Sequence, residues 1–247
     1  MILLPGKTDL FHVHTYRCRH AQEIPDEAYV KQAIYLGASG IFFSDHSPFP
    51  GDPFGNRMYI DQLPEYLNTI HELKSRYSGE ITIHVGLETE YLPSFHDYYE
   101  ELRMNQLIDF MMIGQHMYEV CPGKYSFQLT APEKNKHEHT GCGEAIIQGI
   151  ESGLFDIVAH PDRIFKRQKE WTEGMNELSE RLIDAACSNN MLLEKNLESM
   201  YRKQNYWEEF WRLVPDTAEI VIGTDAHSIQ DLVNKWDIQQ LYYTDTV

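Results

Sequence analysis

Three histidines near the N-terminus, His12, His14 and His20, stand in the spacing His-x-His-x5-His directly after a short apolar run. In a strand, residues two apart face the same side, so His12 and His14 can reach one metal ion together. His20 falls in the loop beyond, where the chain can turn back over the strand end. A His-x-His pair by itself is short and common. It gains weight because ligand types recur after later apolar runs: Asp45-His46, Glu88, His116, His160 and Asp225-Ala226-His227. Imidazole and carboxylate without thiolate suit zinc, manganese or iron, whereas calcium and magnesium prefer all-oxygen sets. Asp45 aside, the seven histidines with Glu88 and Asp225 make nine such side chains, which exceed the needs of one ion and suffice for three. A carboxylate has two oxygens, so Glu88 can bridge a metal pair.

These residues need elements to position them. Apolar runs at 10–14, 40–45, 81–87, 110–113, 155–159, 191–194 and 220–223 predict seven strands. Amphipathic stretches at 25–36, 61–77, 97–105, 143–152, 172–188, 206–213 and 228–242 predict helices between and after them. Residues 119–142, with Pro122, Gly123, Pro132 and a polar run, are expected to form an irregular insertion. Strands separated by helices of this length imply a parallel sheet. Apart from His20 in its loop, the candidate ligands fall at or just beyond predicted C-terminal strand ends, which a βα barrel gathers into one ring. The expected fold is therefore α/β, a distorted (β/α)7 TIM-like barrel with its metal site at the C-terminal ends of the strands. One domain over 1–247 is expected, since no linker or repeat divides the chain.

Composition narrows the partners. The net charge of −17 disfavours polyanions, so no nucleic-acid partner is expected. Bound dications would reverse that sign locally and admit a small anion. No apolar run is long enough for a membrane span and no signal-peptide pattern opens the chain, so the cytoplasm is the expected location. Cys18, Cys121, Cys142 and Cys187 lack a Cys-x-x-Cys spacing and read as reduced thiols. Nothing in the sequence specifies an oligomeric state.

The segments His12-Val-His-Thr-Tyr-Arg-Cys-Arg-His20, Phe43-Ser-Asp-His-Ser-Pro48, Gly86-Leu-Glu-Thr-Glu-Tyr91 and Asp225-Ala-His-Ser228 resemble, in order, the motifs of the polymerase-and-histidinol-phosphatase (PHP) family of metal-dependent phosphoesterases. The resemblance is nearest to its histidinol-phosphatase branch. It implies three divalent ions (zinc, manganese or iron): the first held by His12, His14, Glu88 and Asp225, the second by Glu88, His116 and His160, the third by His20, His46 and His227. It further implies hydrolysis of a small phosphate monoester, L-histidinol phosphate first among them, by a hydroxide bridging the metals. Arg163, three residues after His160, could clamp a phosphate oxygen bidentately. Asp45 and Asp162 are candidates to protonate the leaving group, and Arg17, Arg19 and Lys195 to meet the substrate. The chain departs from the branch at Gly114-Gln115, at Pro161 and at Glu194-Lys195-Asn196-Leu197, without losing a ligand. An amidohydrolase also opens a barrel with His-x-His, but His20 and Glu88 speak against it. A non-catalytic PHP module would be expected to have lost ligands. A phosphatase of another monoester or of a phosphotyrosyl protein stays open.

Overall fold

The computed structural model describes residues 5–203 and 205–244. Its strands are β1 (Asp9–Val13), β2 (Gly40–His46), β3 (Thr82–Thr89), β4 (Phe110–Ile113), β5 (Glu119–Cys121), β6 (Lys124–Tyr125), β7 (Ile157–Val158), β8 (Leu192–Asn196) and β9 (Ile220–Gly223). The helices are α1 (Asp26–Leu36), α2 (Leu63–Arg76), α3 (His96–Met104), α4 (Ala131–Glu151), α5 (Glu173–Ser188), α6 (Leu197–Tyr201), α7 (Glu208–Leu213) and α8 (Ile229–Thr244). Seven strands follow the order β1-β2-β3-β4-β7-β8-β9, which is the topology of a (β/α)7 barrel. By backbone contacts the chain falls into two compact units. The first comprises Met1–Glu88, Leu102–Met111 and Ile222–Val247, and the second Thr89–Glu101 and Met112–Val221.

In the first unit β1, β2 and β3 are parallel neighbours, and their buried runs (Leu10, Phe11, Ile41, Phe43, Val85, Leu87) form the core. The β2–β3 register is unbroken and places His46 opposite Glu88. Beyond β9 the chain pairs in parallel with β1: Val13 bridges Ala226, and the His14 amide donates to the Ala226 carbonyl at 2.9 Å. Gly86 must be glycine, because a Cβ there would lie 2.3 Å from the Phe110 ring.

The β1–β2 register slips between Leu10 and Val13, giving β1 one extra residue. His12 sits in that slip with φ of 66°. A bulge of this kind re-aims a side chain. The simple alternation expected for His12 and His14 is thus replaced by a bulge followed by the end of the strand.

In the second unit the residues Met112 and Ile113 pair with β7, and β7 with β8. The expectation of an irregular segment over 119–142 is corrected here. The chain forms the β5–β6 hairpin and then enters α4 twelve residues before the predicted helix start at Gly143. Thr130 and Glu133 cap that start reciprocally, and Pro132 sits in the first turn, where its missing N–H costs nothing. Gly141 and Gly143 do not break the helix; they let Tyr118 and Leu178 pack against it. Among the described residues no helix is long and apolar enough to cross a membrane.

Candidate metal centre

The strand ends of the first unit bring together seven of the nine predicted ligands: His12, His14, His20, His46, Glu88, Asp225 and His227. His12 and His14 are fully buried, their rings 4.9 Å apart. Nε2 of His14 lies 3.3 Å from Asp225 Oδ1 and 3.6 Å from Glu88 Oε2. Nε2 of His12 lies 3.5 Å from the same Glu88 oxygen and 3.8 Å from Asp225 Oδ1. Nδ1 of His46 approaches Glu88 Oε2 to 3.0 Å. His20, in the exposed loop, places its ring 5.2 Å from that of His46 and 4.6 Å from that of His227. Among these seven predicted ligands three sets have their donor atoms within 4.8 Å of one another: His12, His14 and Asp225; His14, His46 and Glu88; and His20, His46 and His227.

Two observations favour a cation at this cluster. Both ring nitrogens of His14, and Nε2 of His227, are buried without a hydrogen-bond partner, a cost that coordination would remove. The backbone is also bent to the purpose, since Asp225 adopts φ of 48° and His12 φ of 66°. Left-handed backbone at non-glycine residues costs about 1–3 kcal/mol each and gathers at functional sites. The donor set of imidazoles and carboxylates therefore fits a divalent ion.

Electrostatics binds these groups together even without a metal. Burial opposes a charge on His14, but its contacts with Asp225 and Asp45 outweigh that and raise its pKa to about 9. Asp225 is held well below the usual carboxylate range: the charges of His12 and His14 overcome its burial. Burial and the neighbouring His14 charge push His227 down to about 3.

In the second unit His116 and His160 lie with ring centroids 5.1 Å apart. Nδ1 of His116 is 3.1 Å from Oε1 of Glu90, which fixes its ring. The amide of His160, a residue with φ of 32°, donates to Glu194 Oε2 at 2.9 Å. Sequence reasoning passed over Glu90 and Glu194. For Glu90 a signal existed: it stands two residues after Glu88, where strand alternation repeats a face.

Several expected roles change. Arg17 was expected to meet substrate, but its guanidinium is buried and committed. It donates to both Glu65 oxygens at 2.7 and 2.8 Å, to Asp26 Oδ2 at 2.8 Å and to Thr15 Oγ1 at 3.1 Å. Asp45, a proposed proton donor, is fully buried behind His14. Its Oδ2 accepts from the Thr15 hydroxyl, its Oδ1 accepts from the His46 amide at 2.8 Å, and Oδ1 lies 3.6 Å from His14 Nδ1. Such a carboxylate orients an imidazole. Asp162 turns to another task, accepting from the Trp207 amide at 2.8 Å and Trp211 Nε1 at 3.2 Å; burial raises its pKa to about 6. The ammonium of Lys195 lies 5.2 Å from the Trp211 ring centroid. Arg19 stacks on Tyr59 and donates to its hydroxyl at 2.7 Å. Arg163 is half-buried and lines a cavity of about 180 Å³ with Glu198, Ser199, Arg202 and Asn205.

A βα barrel carrying buried clusters of imidazole and carboxylate is a metal-binding barrel protein. Residues 11–198 match the PHP domain, and the chain belongs to that family. It is 32% identical over 158 residues to a provisionally named histidinol-phosphatase of Deinococcus radiodurans, a match covering 61% of this chain and 59% of that protein. The matched region thus spans less than two thirds of that relative. A Listeria monocytogenes protein provisionally assigned as a histidinol phosphatase superposes with a TM-score of 0.75 at 17% identity, over 93% of this chain and 99% of its own. Histidinol phosphate phosphatase of Lactococcus lactis, solved with zinc, L-histidinol and phosphate, gives 0.66 at 22% identity, over 94% of each chain. Both share the fold.

Proposed function

We propose that this chain is a metal-dependent phosphatase of a small phosphate monoester, with L-histidinol phosphate the foremost substrate. The observation that carries the reading is the buried His14, whose two unpartnered ring nitrogens lie amid His12, His46, Glu88 and Asp225. The curated relative named for histidinol-phosphatase activity supports the choice of substrate.

Three divalent ions, zinc, manganese or iron, are proposed. His12, His14, Glu88 and Asp225 would hold one and His20, His46 and His227 another. The assignment of Glu88 with His116 and His160 to a further ion rests on the sequence resemblance. Bound divalent ions supply Lewis acidity toward phosphoryl oxygens and offset the dianion's charge. The chain's own residues fix the rest. Asp45 and Glu90 orient the rings of His14 and His116, and burial of His12 and His14 keeps bulk water from competing for their nitrogens. Arg163 is the proposed clamp on a phosphate oxygen, offering the planar fork that a lysine lacks.

Metal analysis followed by a screen of phosphate monoesters tests the reading. Phosphate release from L-histidinol phosphate after loading with zinc, manganese or iron is expected. No release from any ester would remove the enzymatic reading, and release only from others would reject the named substrate. Arg163→Lys should lower kcat/KM by about 10–100-fold, the loss of one charge-assisted fork; unchanged kinetics would take Arg163 out of this role.

A further inference from the structure

Cys18 has no part in the ligand sets so far described. It is fully buried, and its Sγ lies with a ring nitrogen of His14 and one of His227, all three within 4.8 Å of one another. The local fold holds it there. Thr15 caps the short 3-10 turn Tyr16–Cys18, and Arg19 ends the turn in the left-handed region at φ of 66°. His20 Nδ1 then bonds the Cys18 carbonyl at 2.9 Å, so the loop closes back over the thiol. The two imidazoles stack 4.1 Å apart, and their unpartnered buried nitrogens point to a ligand independently of the cysteine.

We propose that Cys18, His14 and His227 form a soft-donor site for a thiophilic divalent ion, zinc above all, and that Cys18 is what makes this protein prefer zinc to manganese. The inference rests on the metal-binding reading of the cluster and not on any substrate. Thiolate and imidazole favour zinc, whereas manganese favours oxygen donors. On coordination the thiol proton and any proton on the coordinating His14 nitrogen leave to solvent, and the lone pairs they free form the Zn–S and Zn–N bonds. Three protein ligands leave a fourth tetrahedral position open. His14 also belongs to the sets with Asp225 and with Glu88, so these arrangements compete for it. A thiophilic ion draws His14 toward Cys18; an oxygen-seeking ion leaves it with the carboxylates.

Cobalt provides the test, because thiolate coordination gives a sulfur-to-cobalt charge-transfer band in the near ultraviolet and nitrogen or oxygen ligands do not. Metal-free protein loaded with Co2+ should show the band. Cys18→Ser should abolish it, while Cys142→Ser, on a buried thiol of α4, should retain it. Competition titration should find zinc affinity reduced by about 10–100-fold or more in Cys18→Ser, the size of effect expected for metal-site shells, with manganese affinity altered far less. No band in the wild type, a band that survives Cys18→Ser, or equal losses for both metals would each overturn the site. Should the variant fail to fold, cadmium NMR of the wild-type protein decides: a strongly downfield sulfur-ligand resonance supports the site and its absence refutes it. Phosphate release with manganese but no cobalt band would refute this inference and leave the phosphatase standing; a band without phosphate release would do the reverse.

Discussion

Arg17 and Asp26 form an ion pair in which both side chains are almost completely excluded from water, and that pair supports the ligand cluster from behind. The guanidinium holds Thr15, Thr15 holds Asp45, and Asp45 faces His14. Removing one partner of a buried pair leaves the other charged and uncompensated, which costs about 3–5 kcal/mol. Arg17→Met should therefore lower unfolding free energy by about that amount in urea denaturation, and it should also weaken metal binding through the loosened Thr15–Asp45–His14 chain. An unchanged denaturation midpoint would show that the pair contributes nothing net. Asp45→Asn separates the two effects. It keeps the shape while changing which partner His14 Nδ1 can meet, so metal affinity should fall by about 10–100-fold, the usual effect of an outer partner. Isothermal titration giving wild-type affinity would remove Asp45 from that role.

At the scale of elements, α4 shows how packing overrides local propensity. Glycine is poor in a helix interior, and Gly→Ala normally gains up to about 1 kcal/mol there. At Gly141 the new Cβ would lie 2.4 Å from the Tyr118 ring. Overpacking of this kind costs about 1–3 kcal/mol, so Gly141→Ala should lower the thermal midpoint rather than raise it; a raised midpoint would mean that Tyr118 moves aside freely. The same residues explain what the sequence made legible. Seven strands could be read because buried apolar runs are bounded by polar helices, and the ligand residues could be read because they punctuate those runs. The early part of α4 could not, because Pro132, Gly141 and Gly143 look like breakers, although the Thr130–Glu133 cap was a usable signal. The bulge at His12 and the left-handed backbone at His160 and Asp225 leave no mark in residue type, since histidine and aspartate are placed there by their chemistry and the surroundings bear the strain. Arg17 was misjudged for a related reason. Its place between two ligands suggested substrate, but its partners Asp26 and Glu65 lie 9 and 48 residues away and only the fold brings them in.

For the molecule as a whole, a chain of net charge −17 concentrates imidazoles where it needs cations, and its response to pH should reveal this. Without metal, His14 carries a proton up to about pH 9 because Asp225 and Asp45 outweigh its burial. An unfolded histidine releases its proton near 6.5, so the native state binds that proton more tightly. The stabilisation is complete below pH 6.5 and is lost as the pH rises through 9. An ion held by imidazoles and carboxylates alone, manganese for instance, needs the neutral ring and must displace the same proton, so its affinity should climb by about tenfold per pH unit across that window. His227 is pushed down to about 3 and Asp225 is held well below the usual carboxylate range, so neither contributes a competing change between pH 6.5 and 9. Ligand binding to the native state raises stability by RT ln(1 + [L]/Kd), which grows as affinity climbs. The gap in thermal midpoint between metal-loaded and chelator-treated protein should therefore widen steadily from pH 6.5 to 9, with the metal-free protein losing stability over that range. A calorimetric series in which the gap stays constant would show that no buried proton is exchanged for the metal, and that His14 is not the residue on which the two compete.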